Sequence, residues 1–231
     1  MKRSFVPFLL AMMMAPVALN AQVWCPPGAV WHYAANPCMG ACPGFVKMVS
    51  AGDTVVDGQP CTRLERTGSY FNLIYQIEVY DTLPELYTYE DQGVVWMFDP
   101  QSNAFDTLYN FNALPGDQWQ LLPMPGPPTC STSSYYTVLD TGTTVVSGFS
   151  LRWLSVDVTY VLEPDNDTMI FADTLVERIG SLQSYMLPYD ACNGMLDWSE
   201  GGNLRCYSDN EINYVSDSAQ DCEFTVGIGE H

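Results

Sequence analysis

Apolar and polar residues alternate with a period of two over much of the chain after position 45. Leu154, Val156 and Val158 alternate with Ser155 and Asp157, and a run with the same period covers 73–80. This period, with β-branched and aromatic residues, predicts strands with one buried face. Because no stretch shows a sustained helical period, we expect an all-β fold, either an antiparallel sandwich or an open barrel.

Short turn signals separate the predicted strands. Asp57-Gly58 and Ser147-Gly148 each stand between two β-rich runs. Such pairs tolerate the positive φ angles that a two-residue hairpin requires. The stretches 52–58 and 142–148 are also similar to each other, and a leucine follows each. The repeat predicts two related halves within one β domain over 45–225.

The amino terminus has the layout of a secretory signal peptide. Met1-Lys2-Arg3 is followed by a nearly unbroken apolar run from Phe5 to Ala18, and Ala21 ends the segment. The run is too short for a permanent membrane anchor. We therefore expect residues 1–21 to be removed and the mature chain to be exported, with no integral membrane segment.

Eight cysteines lie beyond this segment, which is an even number in a chain that enters an oxidising compartment. Disulfides are the expected state, with about 105 possible pairings. A zinc site of Cys25, His32, Cys38 and Cys42 is disfavoured, because zinc needs reduced thiolates. Proline and glycine among these residues predict an irregular, disulfide-stapled segment over 22–44. The cysteines are Cys25, Cys38, Cys42, Cys61, Cys130, Cys192, Cys206 and Cys222.

Charge and composition restrict the partners. The chain has 8 Lys+Arg against 27 Asp+Glu, for a formal net charge of −19. Such a surface repels nucleic acid and anionic lipid. Hydrophobic residues make up 47% and aromatic residues 13% of the chain, which predicts a folded rather than a disordered protein.

The sequence gives little support for catalysis. No Gly-x-Ser-x-Gly, His-Glu-x-x-His or phosphate-binding glycine loop occurs. His32 lies between Trp31 and Tyr33 and is expected to be a packed, hydrogen-bonded side chain. Paired carboxylates for glycoside cleavage stay open, but the acidic residues single out no pair. We therefore favour a non-catalytic protein that needs no cofactor.

Two other groups of residues are weaker candidates for ligand contacts. Calcium accepts carboxylate and amide oxygens, although turn chemistry explains Asp-Asn pairs equally well. Most aromatic residues are expected in the core, and the tryptophans in polar surroundings are the candidates for exposed glycan contacts. The calcium candidates are Asp165, Asp167, Asp209 and Glu211, and the tryptophans are Trp119 and Trp198.

The order of several motifs resembles a β module of secreted proteins from Bacteroidota, which normally precedes a carboxy-terminal sorting domain for type-nine secretion. The similar stretches are 52–58, 108–111 with 115–117, 177–181, and 204–207 with Tyr214 and Cys222. Arg178 stands where the pattern has glycine, which weakens any role tied to backbone shape there. The resemblance implies surface display, and it implies that Cys206 pairs with Cys222.

Residues 226–231 resemble the junction that opens the sorting domain, but the sequence stops at His231. The resemblance implies an extracellular or cell-surface protein, or a periplasmic one if the protein ends at His231. Asp-Ser/Thr-apolar trios also resemble the acceptor pattern for O-glycosylation in this group of bacteria. The candidate acceptors are Thr54, Thr82, Thr107, Thr168, Thr174 and Ser218.

These observations favour a secreted, non-catalytic module with a display, adhesion or binding role, whose partner is a glycan or a surface protein. The alternative is a carbohydrate-active protein, either a glycan-binding module or a glycosidase. An exposed aromatic surface, or two carboxyl groups about 5–10 Å apart in a cleft, would favour the alternative.

Overall fold

The structure, a computed structural model, describes residues 23–35, 42–121, 131–163, 167–185, 202–216 and 221–224. Within these ranges the regular secondary structure is β only. The predicted signal peptide and the predicted junction over 226–231 lie outside the described residues. The strands are β1 (Val30–Ala35), β2 (Gly44–Val56), β3 (Gln59–Asn72), β4 (Ile77–Asp91), β5 (Val94–Asp99), β6 (Ala104–Asn110), β7 (Gln118–Gln120), β8 (Ser131–Val146), β9 (Phe149–Glu163), β10 (Asp167–Val176), β11 (Gly180–Ser181), β12 (Leu204–Ser208) and β13 (Asn213–Val215).

The strands form two antiparallel sheets. The large sheet has the order β13-β12-β1-β2-β3-β4-β5-β6, and the small sheet has the order β11-β10-β9-β8-β7. The two sheets share one core, in which the rings of Tyr109 and Tyr136 lie 6.5 Å apart. Trp31 Nε1 in the large sheet donates to the carbonyl oxygen of Ile179, beside the small sheet, at 2.8 Å. The predicted antiparallel all-β fold is confirmed, and its form is the sandwich.

The alternation over 154–158 is confirmed in β9. Leu154, Val156 and Val158 are at most 1% exposed and face the core, whereas Ser155 and Asp157 between them are half-buried. Complete burial of one aliphatic side chain contributes about 1.5–3 kcal/mol. The period of two therefore correctly predicts both the strand and the face of it that is buried.

A strand occupies the middle of the segment that was expected to be irregular. β1 lies between β12 and β2, in the interior of the large sheet. Trp31 and Tyr33 point into the core and are 0% exposed. The proline and glycine residues on both sides hide this short alternation in the sequence. The prediction of irregular structure is thus wrong for β1, and this strand is an integral part of the β domain.

The hairpin turns follow the predicted chemistry. Asp57 and Ser147 have φ angles of 48° and 51°, and the glycines after them have 83° and 87°. Positive φ at both central residues is the geometry of a type I′ turn. The two similar hairpins lie in different sheets. Because Gln92 and the glycine after it form a third such turn, at 52° and 79°, the turn type does not distinguish the repeat, and related halves stay a prediction.

The run over 73–80 is not one continuous strand. Residues 73–76 form the turn between β3 and β4, and Gln76 has a φ of 54°. Asn72 Oδ1 accepts the backbone N–H groups of Ile74 and Tyr75, both at 3.0 Å. This side chain competes with the strand ladder and ends β3. The prediction is wrong over 73–76, where the alternation crosses the turn.

The disulfide implied by the family resemblance is confirmed. Cys206 in β12 is bonded to Cys222, with 5.5 Å between the Cα atoms. It fixes residues 221–224 against the outer face of the large sheet, which is the face turned away from the small sheet. Glu223 Oε1 accepts from Lys47 Nζ at 2.7 Å and lies 3.1 Å from His32 Nε2.

The prediction that every cysteine forms a disulfide is wrong for Cys25 and Cys61, which are free thiols, whereas Cys42 is disulfide-bonded. Cys25 Sγ lies in the core, 3.6 Å from Thr88 Oγ1. Thr62 pairs with Thr88 across β3 and β4, so the adjacent Cys61 points to the opposite face. The two thiols therefore lie on opposite faces of the large sheet. The cysteines outside the described residues are Cys38, Cys130 and Cys192.

We expect at least two thiols per chain to react with iodoacetamide in denaturant without reductant. In the folded protein Cys25 and Cys61 should react slowly, because they are 3% and 6% exposed. Burial also raises the pKa of both thiols, which lowers the fraction of reactive thiolate. Peptide mass spectrometry of alkylated protein measures both states. Failure of Cys25 or Cys61 to be alkylated in denaturant would show that it is bonded.

Candidate binding surface

The outer face of β4, β5 and β6 carries a group of aromatic side chains. On these strands Thr88, Met97 and Leu108 are at most 1% exposed and face the core. Side chains that alternate with them therefore point away from the small sheet. The outward aromatic residues are half-buried, and together we name them the aromatic surface. They are Tyr87, Tyr89, Trp96, Phe98 and Phe105.

The rings of the aromatic surface form one continuous cluster. Tyr89 and Trp96 are cross-strand neighbours whose ring planes differ by 11° and whose centroids lie 6.1 Å apart. Phe105 packs edge-on against Tyr89 at 5.0 Å and lies 5.3 Å from Phe98. Tyr87 extends the cluster at 6.4 Å from Phe98. Because each ring holds its neighbour, the surface is preformed and loses little conformational entropy when a ligand binds.

A polar group lies beside the rings on β3 and β4. Arg63 pairs with Tyr87 across the two strands. Its guanidinium contacts Glu65 Oε1 at 3.0 Å and Glu85 Oε1 at 3.4 Å. The Tyr87 hydroxyl donates to the other oxygen of Glu85 at 2.8 Å. Donors and acceptors thus stand next to an apolar surface, as in sites that orient a small polar ligand.

The phenols of this surface are neutral hydrogen-bonding groups. The hydrogen bond to the Glu85 carboxylate raises the pKa of Tyr87, and burial adds to that effect. Burial raises the pKa of Tyr89, with a further contribution from the charge of Asp91. Both hydroxyls therefore stay protonated well above neutral pH and supply no proton-transfer group near pH 7.

Asp173 is a buried acid with a perturbed pKa, which is a common property of catalytic groups. Burial raises the pKa of this carboxyl, although its hydrogen bonds partly offset the effect. Its oxygens accept from Ser181 Oγ at 2.6 Å and from the backbone N–H of Gln183 at 3.0 Å. The residue is only 2% exposed. We assign Asp173 a structural role, because it joins β10 to the segment around β11.

His32 lies toward the other end of the outer face from the aromatic surface. It is 8% exposed, its ring packs 5.8 Å from that of Phe45, and it contacts Glu223 as described above. Burial lowers its pKa, against the raising effect of Glu223. His32 is thus packed and hydrogen-bonded, as the sequence predicts. Within the described residues, no three His, Cys, Asp or Glu side chains are placed to hold a metal ion.

Two of the calcium candidates, Asp209 and Glu211, are engaged by Arg178. Asp209 Oδ2 accepts from Arg178 Nε at 2.8 Å, and the Tyr207 hydroxyl donates to the same oxygen. Asp209 Oδ1 accepts the backbone N–H groups of Glu211 and Ile212. The carboxylate is therefore fully occupied by donors, and Glu211 is also paired with Arg178. Of the other two candidates, Asp167 is exposed at the start of β10, and Asp165 lies outside the described residues.

Trp119 is not the exposed tryptophan that was expected. Its ring lies 5.2 Å from that of Tyr136 and packs partly buried against the core. Its Nε1 donates to the carbonyl oxygen of Leu108 at 3.2 Å. Because β6 is an edge strand, this bond also satisfies a carbonyl group at the sheet edge. Trp198 lies outside the described residues.

The candidate glycosylation sites differ in accessibility. The exposed residues are Thr82 and Thr168, the half-buried ones are Thr54, Thr107 and Thr174, and Ser218 lies outside the described residues. Thr174 follows the buried Asp173, whose carboxylate is occupied by hydrogen bonds. An enzyme that recognises the aspartate cannot reach it in the folded protein. Glycosylation at the other described positions stays a prediction.

Sequence reasoning missed the aromatic surface, although a signal for it was present. The run Val94–Phe98 is apolar at every position. In a strand with one solvent-exposed face, apolar and polar residues alternate, whereas a continuous apolar run indicates that both faces contact apolar neighbours. Here the second apolar face is the outer face, and among the described residues no second sheet covers it.

No protein-family model, no curated protein and no solved structure matches this chain. The resemblance to secreted Bacteroidota modules therefore stays a prediction from the motifs. Within the described residues, no helix has the length and apolar character needed to cross a lipid bilayer. Function is consequently inferred from the geometry of the aromatic surface.

Proposed function

We propose that this protein is an exported, non-catalytic module with a display, adhesion or binding role at the cell surface or outside the cell, and that the aromatic surface contacts its ligand. The observation that carries the proposal is the cluster of five aromatic side chains on the outward face of β4–β6. The Cys206–Cys222 disulfide supports export, because disulfides persist in oxidising compartments.

A neutral glycan is the ligand class that this surface fits best. A sugar ring has an apolar C–H face, which packs on aromatic rings, and hydroxyl groups around its rim. Trp96 and Tyr89 supply the apolar contact. Arg63, Glu85 and the Tyr87 hydroxyl supply donors and acceptors beside it. The pairing of flat aromatic area with a few polar groups is typical of small-ligand sites.

Charge disfavours anionic ligands. The chain carries a formal net charge of −19, and Asp91 is exposed on β4 beside the aromatic surface. The guanidinium of Arg63 next to these rings is already paired with two carboxylates. A uronic acid polymer or a nucleic acid would meet uncompensated repulsion, whereas an uncharged oligosaccharide would not.

A glycan array probed with residues 22–231 tests the proposal. We expect binding to neutral oligosaccharides, and we expect Trp96→Ala to weaken it at least tenfold, which corresponds to about 1.4 kcal/mol. The reason is that Trp96 supplies the largest ring of the cluster. Isothermal titration with the best ligand from the array measures the change.

Tyr80→Ala is the matched control. Tyr80 lies on the same face of β4 and is 71% exposed, but it makes no ring contact with the aromatic surface within the described residues. Its replacement should leave glycan affinity unchanged. Equal losses of glycan affinity in Trp96→Ala and Tyr80→Ala would contradict the assignment of the aromatic surface as the glycan site. Failure of the wild type to bind any neutral glycan would also contradict it. Circular dichroism of Trp96→Ala verifies that the sheet is intact.

A further inference from the structure

The end of the β3–β4 hairpin concentrates exposed apolar side chains. We name residues 72–80 the hairpin tip. Large apolar side chains on the surface of a soluble domain are usually scattered, and a contiguous group indicates a contact site. In the hairpin tip the exposed fractions are 44% for Leu73, 70% for Ile74, 72% for Tyr75, 52% for Ile77 and 71% for Tyr80.

We propose that the hairpin tip is a peripheral membrane anchor that inserts into the interface of a bilayer with neutral headgroups. The first support is the state of its backbone. Asn72 Oδ1 accepts the N–H groups of Ile74 and Tyr75, both at 3.0 Å. A bare N–H group taken out of water costs several kcal/mol. This turn already satisfies two such groups, which lowers the cost of moving the apex into an apolar phase.

The second support is the distribution of apolar groups around the hairpin tip. Ile77 and Tyr80 are three residues apart on β4, so their side chains point to opposite faces of the hairpin. Ile74 and Tyr75 cap the end between these faces. A protein partner with a flat surface would cover one face and leave the other in water. A fluid lipid phase surrounds the tip and covers all of them.

The third support is the depth of the apolar part. The turn and the first strand pair, Asn72 with Ile77, carry no charge, and Glu78 is the first ionisable carboxylate after the turn. With a rise of about 3.3 Å per residue, the uncharged part extends about 5–10 Å from the apex, which is the depth reached by interfacial anchors. The Tyr80 hydroxyl donates to Glu78 at 2.7 Å, an arrangement suited to the boundary between lipid and water.

Charge selects the headgroup. The chain has 27 acidic against 8 basic residues, and residues 72–80 contain no lysine or arginine. An anionic membrane surface repels such a protein. The proposal therefore commits to zwitterionic lipid, such as phosphatidylcholine, and it is independent of the proposed glycan contact on the aromatic surface.

Co-sedimentation of residues 22–231 with phosphatidylcholine vesicles tests the anchor. We expect the wild type to bind and Ile74→Asp to bind at least tenfold more weakly, because the new carboxylate would enter the apolar phase. The control is Val55→Asp, which adds the same charge at a side chain that is 63% exposed. Val55 lies beside the other end of β3, a strand of 14 residues, and thus about 40 Å from the tip.

Four results would overturn the proposal. The first is an absence of binding by the wild type at millimolar zwitterionic lipid. The second is an equal loss of vesicle binding in Ile74→Asp and Val55→Asp, and the third is stronger binding when anionic lipid is added. The fourth is concentration-dependent self-association that Ile74→Asp abolishes, measured by sedimentation velocity without vesicles, because the tip would then join two copies of the chain. Ile74 is too exposed for its replacement to disturb folding, and circular dichroism checks this.

Discussion

Replacement of Arg178 by methionine is expected to lower the free energy of unfolding by about 3–5 kcal/mol, the usual effect of removing one partner from a buried ion pair. Arg178 is 5% exposed, and its guanidinium contacts Asp209 and Glu211, both at 2.8 Å. The side chain of Asp209 is completely buried. Without the guanidinium, that carboxylate keeps its desolvation cost and loses its countercharge.

The loss in Arg178→Met should diminish in acid. Burial acts to raise the pKa of Asp209, but hydrogen bonds from the Tyr207 hydroxyl, the backbone and Arg178 outweigh it and lower the pKa. A lowered pKa in the folded state means that the carboxylate stabilises the fold above its unfolded pKa. That contribution disappears as pH falls through the folded pKa. Wild type and variant should therefore begin to converge in stability below about pH 4 and become equal only below the lowered folded pKa.

Urea unfolding followed by circular dichroism measures the effect, and Arg63→Met is the matched control. Arg63 also contacts two carboxylates, Glu65 and Glu85, but its side chain is 39% exposed. An exposed pair contributes about 1 kcal/mol or less. A loss in Arg178→Met no larger than that in Arg63→Met would show that burial does not govern this cluster.

Arg178 also shows where a motif comparison reaches its limit. The resemblance places glycine at this position, and arginine there weakened the case for a role of backbone shape. The structure nevertheless has a φ of 68° at Arg178, a conformation that is costly for a residue with Cβ. The ion pairs to Asp209 and Glu211 join segments distant in sequence. A motif comparison that considers one residue at a time does not detect that these ion pairs offset the backbone strain.

Sequence patterns correctly predicted the features that depend on only a few adjacent residues. The period of two in β9 and the Asp57-Gly58 turn are properties of a few adjacent residues, and both are confirmed. The same reasoning failed over 73–76, because a hairpin tip that exposes Ile74 and Tyr75 has the apolar pattern of a buried strand. The side chain of Asn72, which caps the turn, marks where the strand ends.

The aromatic surface was unpredicted for a related reason. Trp96 belongs to a continuous apolar run, which indicates two apolar faces but does not say which of them the protein covers. Which face of β4 and β5 is covered depends on where the small sheet lies, and this is set by contacts such as Tyr109 with Tyr136. Sequence reasoning therefore predicted the β class but not this surface.

Gly44→Ala is expected to destabilise the protein by about 3 kcal/mol or more, at the upper end of overpacking effects. Gly44 opens β2 and pairs with Tyr70 of β3. A Cβ atom at this position would overlap the carbonyl oxygen of Ser69 and lie 2.5 Å from Tyr70 Cβ. Backbone cannot yield as a flexible side chain does, so relief requires that the β2–β3 pairing moves.

Gly68→Ala provides the comparison within the same pair of strands. Gly68 lies opposite Val46, and the nearest atom to an added Cβ is Asp81 Cβ at an ordinary 3.9 Å. Here alanine should be neutral or should stabilise by up to about 1 kcal/mol, because it restricts the unfolded chain without a clash in the folded one. Urea unfolding of both variants measures the difference. If the two variants lose stability equally, the intrinsic backbone preference of glycine, rather than the close approach of Ser69, explains the effect of the substitution at Gly44.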